Sequence, residues 1–318
     1  MKYTTIAGKK LSNMSLGTVQ LGMNYGIAND AGKPELSKSF DMLSAALESG
    51  ITSLDTARGY GDAEDVLGQY FKSGRYTGEM PFLTTKFSTN LPAGTPAAEV
   101  EKAIFTSVET SLEKLGVKKV NCILLHAADD MTKHGDIVPK TLEKLTAKGY
   151  TDICGVSIYF PNEVETMLQN DVYQAIQVPM SLFDQKLIHG GYIQRLADKK
   201  ACVFVRSVFL QGLFFLDPEK ITDPDLIKYA APHIRQLREF CQHEGMSIAQ
   251  FAISFIRDVP GVTSLVLGSD TPAQVKENIA LLDGPAISEG TRAKAAEIFK
   301  TVDLDSIMTV LRRPKPQK

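Results

Sequence analysis

The sequence predicts an α/β fold, namely a (β/α)8 TIM barrel with an N-terminal β-hairpin and extra C-terminal helices. Short apolar runs alternate with segments of helical periodicity, eight such runs can be counted, and 318 residues suffice for one barrel. Strands that alternate with helices pair in parallel through right-handed crossovers, and a doubly wound sheet is the alternative arrangement. Because no linker or shift of composition divides the chain, we expect a single domain over residues 1–318.

The first predicted element is a hairpin in which residues 3–6 and 10–11 flank a tight turn at Ala7 and Gly8. The barrel strands are predicted at eight apolar runs: residues 14–17, 52–54, 81–85, 120–125, 152–156, 174–176, 201–205 and 264–267. Helices are predicted where apolar residues recur every three to four positions: residues 36–47, 63–71, 97–115, 137–147, 162–169, 192–199, 225–243 and 272–282. Residues 248–257 and 289–301 form extra helices, and the Asp- and Pro-rich segment 216–224 forms a long loop.

Composition excludes several classes of function. The 35 Lys and Arg residues against 37 Asp and Glu give a net charge of −2, so no basic excess favours nucleic acid. Four cysteines without a CxxC motif exclude a disulfide scaffold and offer no zinc site. No apolar run approaches the ~20 residues of a membrane span, and the N-terminus lacks the apolar stretch of a signal peptide. These features predict a cytoplasmic protein.

Polar residues or glycine close seven consecutive predicted strands. The closing residues are Asp55, Lys86, His126, Ser157, Gln177, Arg206 and the pair Gly268-Ser269. In a barrel of this kind the chemistry gathers at the C-terminal ends of the strands. We therefore expect Asp55, Lys86 and His126 to converge in one pocket. Tyr60 joins them, because the glycines of segment 55–61 let that loop turn back over the strand ends.

These four side chains suggest a proton donor that faces a carbonyl group. A phenol has a pKa near 10, and a nearby ammonium lowers that pKa by favouring the phenolate. Lys86 can supply the ammonium, and Asp55 can hold Lys86 charged and in position. His126 can orient a carbonyl oxygen by hydrogen bonding, which leaves Tyr60 as the proton donor.

The motif Asp55-Thr56-Ala57-x-x-Tyr60-Gly61 resembles the most recognisable motif of the aldo-keto reductases. Thr85-Lys86-Phe87 and Leu124-Leu125-His126 fall where that family has its lysine and histidine, with spacings of 5, 26 and 40 residues. The resemblance extends from Leu16 to Asn278 and is nearest to bacterial members, some of which are linked to sugar metabolism. It implies that Tyr60 protonates a carbonyl oxygen as hydride arrives from a reduced nicotinamide, with Asp55, Lys86 and His126 completing the catalytic tetrad.

The resemblance also implies a cofactor site along the strand ends. Ser157 and Gln177 meet the carboxamide, Arg206 stacks on the nicotinamide where many members have tyrosine, and Ile158 replaces a common asparagine. Ser207, Leu210 and Gly212 begin the loop over the pyrophosphate. The other expected contacts are Gly17 and Thr18 and, at the adenosine end, Gly268, Ser269, Gln274, Glu277 and Asn278. Family habit favours NADP(H), with NAD(H) as the alternative, because neither Gly268 nor Gln274 is basic.

Two other functions remain open from the sequence: a lysine Schiff-base barrel enzyme that uses Lys86, and a non-enzymatic nucleotide-sensing subunit. For the reductase we expect a small carbonyl or sugar-like substrate, with residues 23–25, Arg58 and Gln211 at the mouth. We expect a monomer or weak dimer. The remaining histidines are expected at the surface: His134, His189, His233 and His243. Cysteines in predicted strands are assigned to the core: Cys122, Cys154 and Cys202.

Overall fold

Eight parallel strands close into a barrel in this computed structural model, which describes residues 1–29 and 32–313. The hairpin strands are β1 (Tyr3–Ile6) and β2 (Lys9–Ser12). The barrel strands are β3 (Met14–Gly17), β4 (Ser53–Asp55), β5 (Phe82–Phe87), β6 (Val120–Leu125), β7 (Thr151–Ser157), β8 (Tyr173–Pro179), β9 (Cys202–Arg206) and β10 (Ser264–Gly268). Consecutive barrel strands are neighbours, and β10 pairs with β3 to close the ring. The predicted TIM barrel and the hairpin are confirmed.

Helices follow the strands and cover the barrel. Those in the first half are α1 (Val19–Gly22), α2 (Leu36–Glu48), α3 (Ala63–Lys72), α4 (Ala97–Leu115), α5 (Asp130–Lys133), α6 (Ile137–Ala147) and α7 (Pro161–Leu168). Those in the second half are α8 (Lys186–His189), α9 (Tyr192–Asp198), α10 (Pro224–Tyr229), α11 (Ala231–His243), α12 (Ile248–Arg257), α13 (Pro272–Leu282), α14 (Glu289–Phe299) and α15 (Leu304–Leu311). A 3-10 segment covers Leu210–Phe215. No helix of the described residues is long and apolar enough to cross a membrane.

The register of the strands brings the predicted site residues to one end of the barrel. Gly17 lies beside both Asp55 and Gly268, and Ser157 lies beside Gln177. All these residues are the last or nearly the last of their strands. Because the strands are parallel, side chains from distant parts of the sequence share one rim.

Two cores hold the barrel together. Inside the barrel a small cluster of apolar side chains includes Cys122 and Cys202, and Leu11 of the hairpin packs against it. A larger core, which contains Cys154, lies between the strands and the outer helices. The hairpin is tied to the barrel by Ser12, whose amide donates to the hydroxyl of Thr52 at 2.9 Å.

The structure differs from the predictions at two helices and one side chain. The helix predicted over 225–243 is broken between α10 and α11, because Pro232 lacks the amide hydrogen that a continuous helix needs. The final helix α15 was not predicted at all. His134 is buried rather than exposed. It directly follows α5, and its Nε2 lies 3.2 Å from the Thr89 hydroxyl.

Candidate active site

A cavity of about 440 Å³ opens at the C-terminal ends of the strands. Twelve of the predicted site residues line it: Gly17, Thr18, Asp55, Tyr60, Gln177, Arg206, Ser207, Gly212, Gly268, Gln274, Glu277 and Asn278. Five predicted residues are not among the lining residues: Lys86, His126, Ser157, Leu210 and Ser269. Lys86 and His126 nevertheless contact Tyr60, which does line the cavity. The volume lies within the range of small-molecule sites.

The centre of the site is a buried ion pair between Asp55 and Lys86. The Lys86 ammonium donates to both carboxylate oxygens of Asp55 at 2.7 Å and to the carbonyl of Thr56 at 2.9 Å. Both side chains are almost fully removed from solvent. Gln177 donates a further bond from Nε2 to Asp55 Oδ2 at 3.0 Å. Burial lowers the pKa of Lys86, but the charges of Asp55 and Tyr60 raise it by more, so the net pKa is raised and the ammonium stays protonated.

Tyr60 contacts this pair from the cavity side. Its hydroxyl lies 3.3 Å from Lys86 Nζ. Burial raises the pKa of Tyr60, and Lys86 lowers it by less, so the net pKa lies above its usual value. The sequence had suggested a lowered pKa, because it shows the ammonium but not the extent of burial. A protonated phenol beside a fixed ammonium can donate a proton, because the ammonium compensates the negative charge of the phenolate that remains.

His126 completes the group as a neutral ring. Burial first, then the positive charges of Lys86 and Arg206, lower the pKa of His126 to about 4. Its ring meets that of Tyr60 edge to face, with centroids 5.6 Å apart. A neutral imidazole has one N–H donor, which suits hydrogen bonding to a carbonyl oxygen.

The loop that carries Tyr60 is fixed by its own backbone and by two glycines. Arg58 donates its amide to the carbonyl of Lys86 at 2.9 Å, which holds the loop against the end of β5. Gly61 has φ +58°, and a Cβ there would overlap the carbonyl of Gly22 in α1. A Cβ on Gly22 would in turn overlap the carbonyl of Tyr60. The close approach of two backbones therefore sets the position of Tyr60.

Glu64 lies at the site, although none of the sequence motifs indicates it. It is buried on the first turn of α3, and its carboxylate accepts from the Thr85 hydroxyl at 2.7 Å and from Arg58 at 2.9 Å. Glu64 thus joins the strand that carries Lys86 to the loop that carries Tyr60. The sequence does place an acidic residue on the apolar face of the predicted helix, but the short motifs do not include that position. Arg58, expected at the mouth, pairs with Glu64 and is not among the residues that line the cavity.

The cavity offers unsatisfied acceptors where a dinucleotide is expected. The amide oxygens of Gln20 and Gln177 are buried and have no hydrogen-bond partner among the described residues, and both side chains line the cavity. Buried polar atoms in proteins are normally hydrogen-bonded, so these two favour a ligand that carries N–H or O–H donors. The residues present therefore fit a nicotinamide carboxamide on the Gln177 side.

The far end of the cavity is built from the start of α13. The Thr271 hydroxyl caps this helix by accepting from the amide of Gln274, whose own side chain accepts from the Asp270 amide at 2.6 Å. Asn278 donates to the Ser269 hydroxyl at 3.2 Å. Among the described residues that line the cavity, Arg206 is the one basic side chain, and it belongs to the end of β9 rather than to α13.

Comparisons with known proteins agree with this geometry. A family model described as "Aldo/keto reductase family" matches residues 13–293. L-glyceraldehyde 3-phosphate reductase of Escherichia coli is 23% identical over 90% of this chain and 88% of its own length. The aldo-keto reductase YhdN of Bacillus subtilis is 24% identical over 87% of each chain.

Solved structures give the same result for the fold. The aldo-keto reductase AKR11C1 from Bacillus halodurans, in its holo form, has a TM-score of 0.74 at 20% identity, covering 94% of this chain and 96% of that one. An aldo/keto reductase from Klebsiella pneumoniae, in complex with NADP and acetate, has a TM-score of 0.65 at 19% identity, covering 91% and 92%. With a family match that spans most of its length, this chain belongs to the aldo/keto reductase family.

Proposed function

We propose that this protein catalyses the NADP(H)-dependent reduction of an aldehyde or ketone to an alcohol, or the reverse reaction, with Tyr60 as the proton donor. The observation that carries the proposal is the contact of the Tyr60 hydroxyl with the buried Lys86–Asp55 pair at the wall of the cavity. Membership of the aldo/keto reductase family supports it.

Each residue of the group has a defined task. NADP(H), when bound, supplies the hydride that reaches the carbonyl carbon. Tyr60 transfers its hydroxyl proton to the carbonyl oxygen, and the Lys86 ammonium stabilises the phenolate that remains. Asp55 keeps Lys86 charged and fixed. His126, neutral at physiological pH, donates a hydrogen bond that orients the carbonyl oxygen toward Tyr60.

The cofactor proposal rests on the chemistry of the cavity and on a structural neighbour. The free amide oxygen of Gln177 suits the carboxamide, and the Klebsiella pneumoniae neighbour was solved with NADP. The expected roles of Ser157 and of Arg206 beside the nicotinamide remain predictions. The substrate is proposed to be a small carbonyl compound, in line with the E. coli relative that is named for a sugar phosphate.

A Schiff-base mechanism fits the residues less well. A lysine nucleophile must lose its proton and reach the substrate. Lys86 is fully buried, its pKa is raised, and its ammonium is hydrogen-bonded to Asp55, Thr56 and Tyr60. A nucleotide-sensing subunit would use the same cavity without turnover, so the test must separate nucleotide binding from catalysis.

The test combines calorimetry with one substitution. Isothermal titration should give tight binding of NADPH to the wild type, and Tyr60→Phe should bind NADPH equally well. Turnover of a panel of aldehydes and sugars should fall at least about 100-fold in Tyr60→Phe, because that is the usual contribution of a general acid. Failure to bind NADPH or NADH would overturn the proposal. Binding without turnover of any carbonyl would favour the sensing subunit, and undiminished turnover by Tyr60→Phe would remove Tyr60 as the donor.

A further inference from the structure

We propose that Glu64 is a positioning residue for the reduction, because its buried carboxylate holds the loop of Tyr60 and the end of β5 together and so keeps the Tyr60 hydroxyl against Lys86. This inference rests on the proposed function, in which Tyr60 is the proton donor. Glu64 is not among the residues that line the cavity, and its hydrogen bonds go to Arg58 and Thr85. Its effect on Tyr60 therefore passes through these two side chains.

One oxygen of the carboxylate bonds to the strand that carries Lys86. Successive side chains of a strand point to opposite faces, and Phe82 of β5 belongs to the apolar cluster inside the barrel. Lys86, four residues later, points inward as well and reaches Asp55. Thr85 points to the outer face instead, where its hydroxyl donates to Glu64 Oε1 at 2.7 Å. Glu64 thus fixes the strand from outside the barrel at the residue next to Lys86.

The second oxygen of the same carboxylate bonds to the loop that carries Tyr60. Glu64 Oε2 accepts from Arg58 Nη1 at 2.9 Å, and Arg58 lies two residues before Tyr60. The backbone amide of Arg58 also donates to the carbonyl of Lys86 at 2.9 Å. The side chain and the backbone of Arg58 therefore tie the loop to α3 and to β5 at once.

Helix α3 supports this carboxylate closely. A Cβ on Gly68 would lie 2.0 Å from the carbonyl of Lys114 at the end of α4, so the two helices pack backbone against backbone. Glu64 is only 2% exposed, and both of its oxygens are hydrogen-bonded. Burying a carboxylate costs free energy, and an apolar side chain would fill the same space without that cost. The geometry therefore favours a role in holding the loop rather than in packing.

The contact between Tyr60 and Lys86 leaves little room for displacement of the loop. The Tyr60 hydroxyl lies 3.3 Å from Lys86 Nζ, close to the long limit of about 3.2 Å for an N–H···O hydrogen bond. A shift of the loop by a fraction of an ångström would break this contact. The phenolate left by proton transfer would then lack the ammonium that stabilises it. A misplacement of about 1 Å can cost an enzyme about 100-fold in rate.

The first test compares variants in the reduction of glyceraldehyde and benzaldehyde by NADPH. Glu64→Ala should lower kcat about 10- to 100-fold, with the KM for NADPH close to that of the wild type. Glu64→Gln should keep most of the wild-type kcat, because its amide oxygen can accept from Arg58 while its amide nitrogen donates to the Thr85 hydroxyl. The control Asp65→Ala should match the wild type, since Asp65 pairs with Lys114 of α4.

Two further measurements separate positioning from a general loss of structure. With NADPH deuterated at the transferred hydrogen, Glu64→Ala should show a larger isotope effect on kcat than the wild type, because the chemical step then limits the rate more. A smaller fraction of folded enzyme would leave that isotope effect unchanged. In protein labelled with carbon-13 at the tyrosine Cζ, the resonance absent from Tyr60→Phe belongs to Tyr60. It should move in Glu64→Ala and stay in place in Asp65→Ala, with no turnover required.

If Glu64→Ala does not fold, Thr85→Val takes its place, because it keeps the shape of the side chain and removes only the hydroxyl that donates to Glu64. A lower kcat with a larger isotope effect supports the proposal. An unchanged isotope effect together with an unmoved Tyr60 resonance overturns the positioning role and leaves the reductase intact. Equal loss of kcat in Glu64→Gln and Glu64→Ala also overturns it, because the bridge would then not restore the rate. Absence of NADPH binding or of turnover in the wild type instead overturns the proposed function itself.

Discussion

His126 is a single residue whose burial should be visible in the stability of the protein. Its pKa falls to about 4 in the folded state, against about 6.5 when it is exposed in the unfolded chain. Below pH 6.5 the unfolded state therefore binds a proton that the folded state does not. The contribution of His126 to stability is complete above pH 6.5 and is lost progressively as pH falls from 6.5 toward 4.

We expect this residue alone to lower the free energy of unfolding by about 2 kcal/mol between pH 7.5 and pH 5. Urea denaturation of the wild type and of His126→Gln at both pH values measures it, because the variant cannot take up that proton. The pH-dependent loss should be smaller in His126→Gln by this amount. Equal losses in the two proteins would mean that His126 is more solvated than its contacts indicate.

Single residues also show what short motifs can and cannot predict. Asp55, Lys86 and His126 were predictable because each ends a strand, and parallel strands end together. Glu64 and Gln20 were not, because both belong to helices, where neither strand position nor motif reports a buried polar atom. The direction of the Tyr60 pKa was missed for a similar reason: burial depends on the whole barrel, whereas the sequence shows only the neighbouring charge.

Among the elements, α13 gives a direct test of how the cofactor phosphate is recognised. The helix begins at the far end of the cavity, and Gln274 in its first turn lines that end. A helix N-terminus favours phosphate, but no basic side chain of the described lining residues stands there. We therefore expect NADPH to bind only modestly better than NADH. Gln274→Arg should tighten NADPH binding about tenfold through a charged hydrogen bond, with NADH unchanged.

Calorimetric titration of both nucleotides measures this, and Gln274→Leu serves as the control that removes the amide without adding charge. If Gln274→Arg tightens NADH as much as NADPH, the 2′-phosphate does not lie at this turn. A large NADPH preference in the wild type would require a basic partner from outside the described lining.

The elements were predictable where a pattern is local. Apolar runs such as 120–125 are strands because a parallel sheet buries both faces, and β6 has these same bounds. Strands β7 and β9 extend one residue past their predicted ends, to Ser157 and Arg206, and β8 extends three residues, to Pro179, because the residues at the rim still pair with their neighbours. The helix α15 packs against α10 and was not predicted, although its buried residues Leu304, Ile307 and Val310 recur every three positions in the sequence.

At the scale of the whole molecule, the barrel encloses the Asp55–Lys86 ion pair, which contacts Tyr60 at the cavity. Asp55 and Lys86 are nearly inaccessible to solvent. Lys86 donates to both carboxylate oxygens of Asp55, and Gln177 donates a further hydrogen bond to Oδ2, so the carboxylate is fully hydrogen-bonded. Removing two charges from water costs free energy that their attraction repays only when the pair is intact. Loss of one partner should therefore destabilise the entire barrel, whereas loss of both charges should destabilise it much less.

We expect Lys86→Met to lower the free energy of unfolding by about 3–5 kcal/mol, because it leaves the Asp55 carboxylate buried and unpaired. Adding Asp55→Asn to the same chain should recover more than half of that loss, since the amide keeps an acceptor for Gln177 without the charge. Neither protein should reduce carbonyl compounds. Urea denaturation of the wild type, both single variants and the double variant forms a complete cycle. If the double variant is as unstable as Lys86→Met, lost packing rather than the unpaired charge accounts for the effect. The buried ion pair would then not lower the stability of the barrel.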